Sequence, residues 1–131
     1  MLMDDLVINE RRIDGITVVE LEGDLDAFTV QEVRCRLNEM IEEGINRIVL
    51  NFSKLRYINS TSIGVLVGRL RRIRERGGDM VLAELNPRVN RIITLVGGRR
   101  LFRIFDTERR AIEELSNLTG KGEMSGKTED D

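Results

Sequence analysis

Apolar residues recur along this chain in two patterns, one typical of buried strands and one typical of amphipathic helices. Residues 48–50, with Phe52 two positions further on, form a short apolar run of the kind that is buried at the centre of a sheet. Four apolar residues then follow at a helical period, namely Ile63, Leu66, Leu70 and Ile73. Residues 47–78 therefore predict a strand followed by a helix with one buried face.

A polar segment between this strand and this helix holds three neighbouring hydroxyl side chains, those of Ser60, Thr61 and Ser62. Asn, Ser and Thr accept hydrogen bonds from the free backbone N–H groups of a helix's first turn. The amino end of a helix also carries a partial positive charge, which favours an anion such as phosphate. We therefore expect a hydroxyl cluster at a helix N-terminus.

The first third of the chain predicts a hairpin and a helix. Asp14 and Gly15 separate two apolar runs, and this dipeptide is a strong hairpin signal. Thr29 is the predicted N-cap of a helix that ends at Gly44. Its apolar stripe is Val30, Val33, Leu37, Met40 and Ile41. At the angle between successive helix residues, Cys35 lies off this stripe, so we expect it to be exposed.

The remainder predicts two further strands and two further helices. Residues 80–85 form a strand, and Asn86 with Pro87 caps the next helix. The buried face of that helix is predicted to be Val89, Ile92, Ile93 and Val96. Residues 102–105 predict an edge strand. The final helix has a predicted cap at Asp106 or Thr107 and apolar positions Ala111, Ile112 and Leu115.

Strands that alternate with helices after an opening hairpin predict an α/β domain. We expect a mostly parallel sheet of about five strands, opening with an antiparallel hairpin and covered by about four helices. From about Ser116 onward the residues are polar, charged or glycine, with almost nothing to bury. The predicted organisation is therefore one domain over residues 1–116 and a disordered polar tail over residues 117–131.

Composition argues against several classes of function. The 131 residues contain no histidine and a single cysteine, which excludes a Ser-His-Asp site and a Cys/His metal site. The glycines form neither a G-x-G-x-x-G nor a G-x-x-x-x-G-K signature, so no nucleotide cofactor is expected. A formal charge of -2 and the lack of a long apolar run favour a cytoplasmic protein that binds neither nucleic acid nor membrane.

Asp24 and Asp26 follow the second predicted strand as a pair of carboxylates. Such a pair is compatible with acid/base chemistry or with a hard metal such as Mg²⁺. The simpler interpretation is that they complement the dipole of the next helix. We therefore predict that the chain is not an enzyme and holds no metal.

Several separated motifs resemble those of one family, the STAS-domain anti-sigma factor antagonists of bacteria. Residues 23–26 match its G-[DE]-[LI]-D motif, and residues 59–64 correspond to its D-S-S-G-[LI]-G motif. Residues 77–82 and 101–108 match its fourth strand and its closing strand and helix. The likeness spans about residues 5–115. Two departures from the family pattern matter, namely Asn59 in place of Asp and Ser62 in place of Gly.

This resemblance implies a switch between protein partners. It implies that Ser60 is phosphorylated by an anti-sigma factor that is also a serine kinase of the histidine-kinase-like ATPase fold, and that a PP2C-type phosphatase reverses the modification. The unphosphorylated protein would capture the anti-sigma factor and thereby free a sigma factor. The implied partner-binding residues are Asp24, Asp26, Asn59, Ser60, Thr61, Ser62, Ile63 and Arg69.

Alternatives remain open at this point for both the site and the role. Thr61 and Ser62 are rival phosphate acceptors, and all three hydroxyls could instead only cap the helix. The same fold also serves as a subunit of signalling scaffolds or transport complexes without a sigma factor.

Overall fold

Five strands form one sheet whose spatial order follows the chain from β1 to β5. The computed structural model describes residues 6–125, with side chains described through residue 117. The strands are β1 Val7–Ile13, β2 Ile16–Leu25, β3 Arg47–Ile58, β4 Asp79–Ala83 and β5 Ile104–Phe105. The helices are α1 Val30–Glu42, α2 Ser60–Glu75, α3 Pro87–Leu95 and α4 Glu108–Ser125, with a 3₁₀ turn at Gly98–Arg100. Only the β1–β2 pair is antiparallel, so the predicted fold class is confirmed.

The turn between β1 and β2 is the predicted tight hairpin. Ile13 pairs with Ile16, which leaves only Asp14 and Gly15 in the loop. Both loop residues have positive φ, 52° and 81° respectively. Two successive left-handed residues match the right-handed twist of the flanking strands, which is why an Asp-Gly dipeptide suits this loop.

The sheet is covered on both faces by helices that bury the predicted apolar stripes. On one face α1, α2 and α3 pack over residues such as Leu50 and Phe52. On the other face Ala111 and Leu115 of α4 pack against Val49 and its neighbours. The five predicted buried positions of α1 are its five buried residues. Two helical layers around a mostly parallel sheet explain why β3 and β4 are apolar on both faces.

Strand β3 is longer than the apolar run that predicted it, since it continues to Ile58. Its pairing with β4 ends at Asn51, and beyond that residue its pairing continues with β2 alone. The pattern accordingly changes from continuous burial to buried Leu55 and Ile58 separated by exposed positions. A strand segment in which only every third residue is buried carries a weaker apolar signal than a central strand that is buried throughout.

Two predictions at helix ends differ from the structure. Val96 is 46% exposed, because α3 ends at Leu95 and the chain turns away through Gly97. Helix α4 continues to Ser125, past the predicted domain boundary at residue 116. A helix pairs its own backbone groups, so it can continue without apolar residues to bury. Residues 126–131 lie outside the described residues, and the predicted disorder of the tail stays a prediction.

Cys35 is exposed, as predicted. Within residues 6–125, the helices are all too short or too polar to cross a membrane.

Candidate functional site

The candidate site forms where β2 and β3 end side by side. These strands are parallel, with Asp24 beside Tyr57 and Leu25 beside Ile58 in the register. Their carboxyl ends therefore meet at the same edge of the sheet, where loops of α/β proteins commonly bind ligands. Helix α2 starts at Ser60, directly after β3. The motifs around residues 24 and 60 are brought together in this way.

Asn59 is the N-cap of α2. Its backbone is extended, with φ −122° and ψ 172°, and its side-chain Oδ1 accepts a hydrogen bond from the backbone N–H of Ser62 at 2.9 Å. This is the usual geometry of a capping amide. The predicted polar helix start is therefore present, and an amide rather than a hydroxyl caps it.

The three neighbouring hydroxyls lie in different environments. Ser62 is fully buried, and its Oγ lies 2.9 Å from the carbonyl oxygen of Leu25, to which it donates, and 2.8 Å from Asn59 Oδ1. Ser60 and Thr61 are exposed, and their hydroxyls make no hydrogen bond within the described part of the chain. None of the three therefore serves as a helix cap. A kinase could reach Ser60 and Thr61 in this conformation, whereas Ser62 is enclosed.

Asp26 organises the loop that enters α1. Its Oδ1 accepts hydrogen bonds from the backbone N–H groups of Phe28 at 2.9 Å and Thr29 at 2.8 Å. The hydrogen bond from the Thr29 backbone, more than any other contact, lowers the pKa of Asp26 from its usual value. Thr29 is the N-cap residue of α1, as predicted, but its side chain makes no capping hydrogen bond, because its hydroxyl turns back and donates to the carbonyl oxygen of Asp24. An Asp side chain competes well for N–H groups in such a turn.

Asp24 is engaged with a cation rather than free. Arg56 Nε lies 3.2 Å from Asp24 Oδ1 in an ion pair at the surface. With Asp24 paired to arginine and Asp26 bonded to backbone, the two carboxylates do not converge on a common point. Among the described residues there is no group of three His, Cys, Asp or Glu side chains that could hold a metal ion.

Two exposed aromatic residues at this edge of the sheet were not predicted from the sequence. Phe28 is 86% exposed in the loop after β2, and Tyr57 is 44% exposed near the end of β3. Aromatic residues are enriched in protein interfaces, where a few well-packed side chains carry most of the binding energy. Phe28 interrupts a polar segment without belonging to an apolar stripe, and that mismatch is the signal that could have identified it.

Two predicted partner-binding residues lie away from the exposed surface of the helix start. Ile63 is 5% exposed and packs in the core cluster beneath α2. Arg69 lies nine residues beyond Ser60 and faces α1, where its Nη1 donates to Asn38 Oδ1. Their predicted contacts with a partner stay predictions.

The fold recurs in known proteins. The family model described as "STAS domain" matches residues 8–111. The chain belongs to the STAS-domain family. One relative is the anti-sigma F factor antagonist of Paenibacillus polymyxa, which is 34% identical over 102 residues, covering 77% of this chain and 87% of that one. Antagonists of this kind are regulatory proteins rather than enzymes, which agrees with the prediction of no enzymatic activity.

Solved STAS structures resemble this one along most of its length. An anti-sigma factor antagonist from Mycobacterium paratuberculosis superposes with a TM-score of 0.79 at 18% identity, covering 86% of this chain and 96% of that one. The phosphorylated form of the Bacillus cell fate determinant SpoIIAA gives a TM-score of 0.65 at 24% identity, covering 82% of this chain and 98% of that one. At these low sequence identities, the two structural comparisons show a shared fold and nothing further.

Proposed function

We propose that this STAS domain is an anti-sigma factor antagonist whose binding is switched by phosphorylation of Ser60. In its unphosphorylated form it binds a cognate anti-sigma factor, a serine kinase of the histidine-kinase-like ATPase fold, in the cytoplasm. That capture frees a sigma factor. Phosphorylation by the same kinase ends the capture, and a PP2C-type phosphatase restores it. The antagonist role of the curated relatives supports this assignment.

The observation that carries the proposal is the difference between Ser60 and Ser62. Ser60, the first residue of α2, is exposed, and its hydroxyl has no hydrogen-bond partner among the described residues, whereas Ser62 is enclosed and bonded. A kinase needs a hydroxyl that can enter its active site and meet the γ-phosphate of ATP in line. Thr61 is also exposed, so position in the motif and accessibility together favour Ser60.

The chemistry requires nothing from this chain beyond the hydroxyl. The kinase transfers the γ-phosphoryl group of ATP to Ser60 Oγ, so that a new O–P bond forms while the bond to ADP breaks and the hydroxyl proton leaves. The phosphate brings a charge of about -1.5 to -2 at neutral pH. The positive end of α2 tolerates that charge, since an anion at a helix N-terminus is stabilised by about 0.3–1 kcal/mol.

Loss of partner binding then arises at the interface. Asp24 and the exposed rings of Phe28 and Tyr57 lie at the same edge of the sheet as Ser60. A partner that covers the rings must also desolvate a phosphate that shares this surface with the carboxylate of Asp24, which costs binding energy. The switch acts on contacts with the partner and leaves the fold in place.

The test is phosphorylation by the cognate kinase, purified and supplied with Mg²⁺ and ATP, with the modified residue mapped by mass spectrometry. Ser60→Ala should abolish the modification and still bind the kinase, while the control Thr61→Ala should be modified like the wild type. Modification that persists in Ser60→Ala, at Thr61 or elsewhere, would contradict the assignment. A transporter subunit co-purifying in place of a kinase would favour the transport role instead.

A further inference from the structure

Three arginines lie near one another where α1 and α2 pack, and we call them the arginine cluster: Arg34, Arg69 and Arg72. Arg34 lies one turn before Asn38 on α1, and its Nε donates to Gln31. On α2, Arg69 and Arg72 are one turn apart. The Nη1 groups of both donate to the single acceptor Asn38 Oδ1, that of Arg72 at 3.5 Å. Residues three or four positions apart lie on one side of a helix, so the cluster combines one side of each helix.

No carboxylate of the described residues neutralises this cluster. The acceptors of its hydrogen bonds are the neutral side chains of Gln31 and Asn38. Burial, followed by the charges of Arg72 and Arg34, lowers the pKa of Arg69 from its usual value. Other arginines of this fold, such as Arg36 with Glu10 and Arg74 with Asp79, are paired with acids. Neighbouring cations that no described carboxylate neutralises repel one another, so this arrangement has an electrostatic cost for the fold.

The Arg69 side chain also leaves a donor unused. Its Nε is one of two buried side-chain polar atoms that have no hydrogen-bond partner in the described part of the chain. A buried donor without an acceptor lowers stability, and such groups in folded proteins call for an explanation. The arginine cluster as a whole remains partly accessible, since Arg69 and Arg72 are half-buried and Arg34 is exposed.

The surface between this cluster and Ser60 is open. Arg69 is nine residues beyond Ser60 on α2, or about 13 Å along the helix axis. Gly64 and Gly68 lie between them, and a Cβ built on either would meet no atom within 4 Å. Glycine weakens a helix interior, and here packing inside the domain gives no reason for it. Bare backbone at these two positions would let a partner approach α2 closely along its length.

We infer that the arginine cluster receives a carboxylate side chain of the kinase that phosphorylates Ser60. This inference rests on the proposed function and adds a second contact, in which an acidic residue of the kinase lies between α1 and α2. Guanidinium groups bind carboxylates through paired, charge-assisted hydrogen bonds, which neutral amides cannot match. The acidic residue of the kinase supplies the negative charge that no described residue supplies to the arginine cluster.

The substitution Asn38→Asp tests this by placing a carboxylate of the chain's own in the cluster. The new side chain has the same shape and lies where Arg69 and Arg72 already donate. We expect the thermal midpoint to rise by roughly 2–6 °C, because the repulsion is relieved. We also expect kinase affinity, measured by titration calorimetry with the purified kinase and ADP, to fall at least fivefold. A variant that is more stable and binds more weakly cannot owe its binding defect to unfolding.

The matched control is Asn90→Asp on α3, where Arg99 already donates to the asparagine. It adds the same charge beside an arginine outside the α1–α2 groove and should bind the kinase like the wild type. If Asn38→Asp binds as tightly as the wild type, or lowers the thermal midpoint, the inference is overturned while the proposed function stands. If the wild-type chain does not bind the kinase, the proposed function fails and this inference fails with it.

Discussion

Ser60 and Ser62 allow one chemical change, serine to alanine, to be made in two opposite environments. Ser60 is exposed and its hydroxyl has no partner in the part of the chain that the structure describes, whereas Ser62 is 0% exposed and its hydroxyl donates to the carbonyl oxygen of Leu25. Only the second substitution removes a buried contact. We therefore predict that Ser62→Ala destabilises the domain while Ser60→Ala has little effect.

The expected magnitude follows from the lost bond. Leaving a buried polar group without a partner costs about 1–3 kcal/mol. The better helix propensity of alanine offsets about 0.5 kcal/mol of this. The net loss at Ser62 is then about 0.5–2.5 kcal/mol, which lowers the thermal midpoint by roughly 2–10 °C in a domain of this size. At Ser60 the change should stay within about 0.5 kcal/mol, as for an ordinary surface substitution.

Urea unfolding followed by circular dichroism measures the free energy of unfolding of both variants. The dependence of the unfolding free energy on urea should be equal in the two variants, so that their midpoints compare directly. Equal destabilisation by the two substitutions would refute the reasoning, because it would mean that Ser62 is not the enclosed hydroxyl. A larger loss at Ser60 would refute the proposed accessibility of the phosphate acceptor as well.

Three further outcomes are expected. Ser60→Asp should melt within about 3 °C of the wild type, because its carboxylate meets the positive end of α2, yet bind the kinase much more weakly in a pull-down. Gly68→Ala should raise the unfolding free energy by about 0.5–1 kcal/mol, since its Cβ meets open space, whereas Gly78→Ala should lower it sharply because its Cβ would lie 1.8 Å from a backbone oxygen. The hydrogen bond from Arg11 lowers the pKa of Glu108, so this stabilisation is complete above the unfolded pKa of about 4.3 and is lost as the pH falls through the folded pKa. The substitution Glu108→Gln should therefore flatten the acid limb of a stability-against-pH curve.

Features that depend on neighbours in the sequence were predictable. The buried stripe of α1 repeats at a helical period, and its five members are the residues that the structure buries. The dipeptide of Asp14 and Gly15 fixes its own turn, because few other residues adopt two successive positive φ angles. Asn59 and Asn86 both cap helices through their side chains. In each case the decisive interaction spans only a few residues.

Features that depend on distant contacts were not predictable. The hydrogen bond that encloses Ser62 joins it to Leu25, 37 residues earlier, and nothing in the local sequence separates its hydroxyl from those of Ser60 and Thr61. The contact of Arg69 with Asn38 likewise spans 31 residues and depends on how α1 and α2 pack. Periodicity gives the buried face of each helix, but it does not give the register of one helix against another.

The contrast between Ser60 and Ser62 suggests how a switch of this kind acts without disturbing the domain. Ser62 joins the start of α2 to the end of β2 through a buried bond that modification at Ser60 does not touch. The new charge would lie at the helix end that favours anions, so the folded state has no reason to rearrange. Any effect of phosphorylation must then act on a partner that covers Ser60, Phe28 and Tyr57. Because the anchoring hydroxyl and the proposed phosphate acceptor are different residues, phosphorylation of Ser60 would change the charge of this surface while its backbone stays fixed.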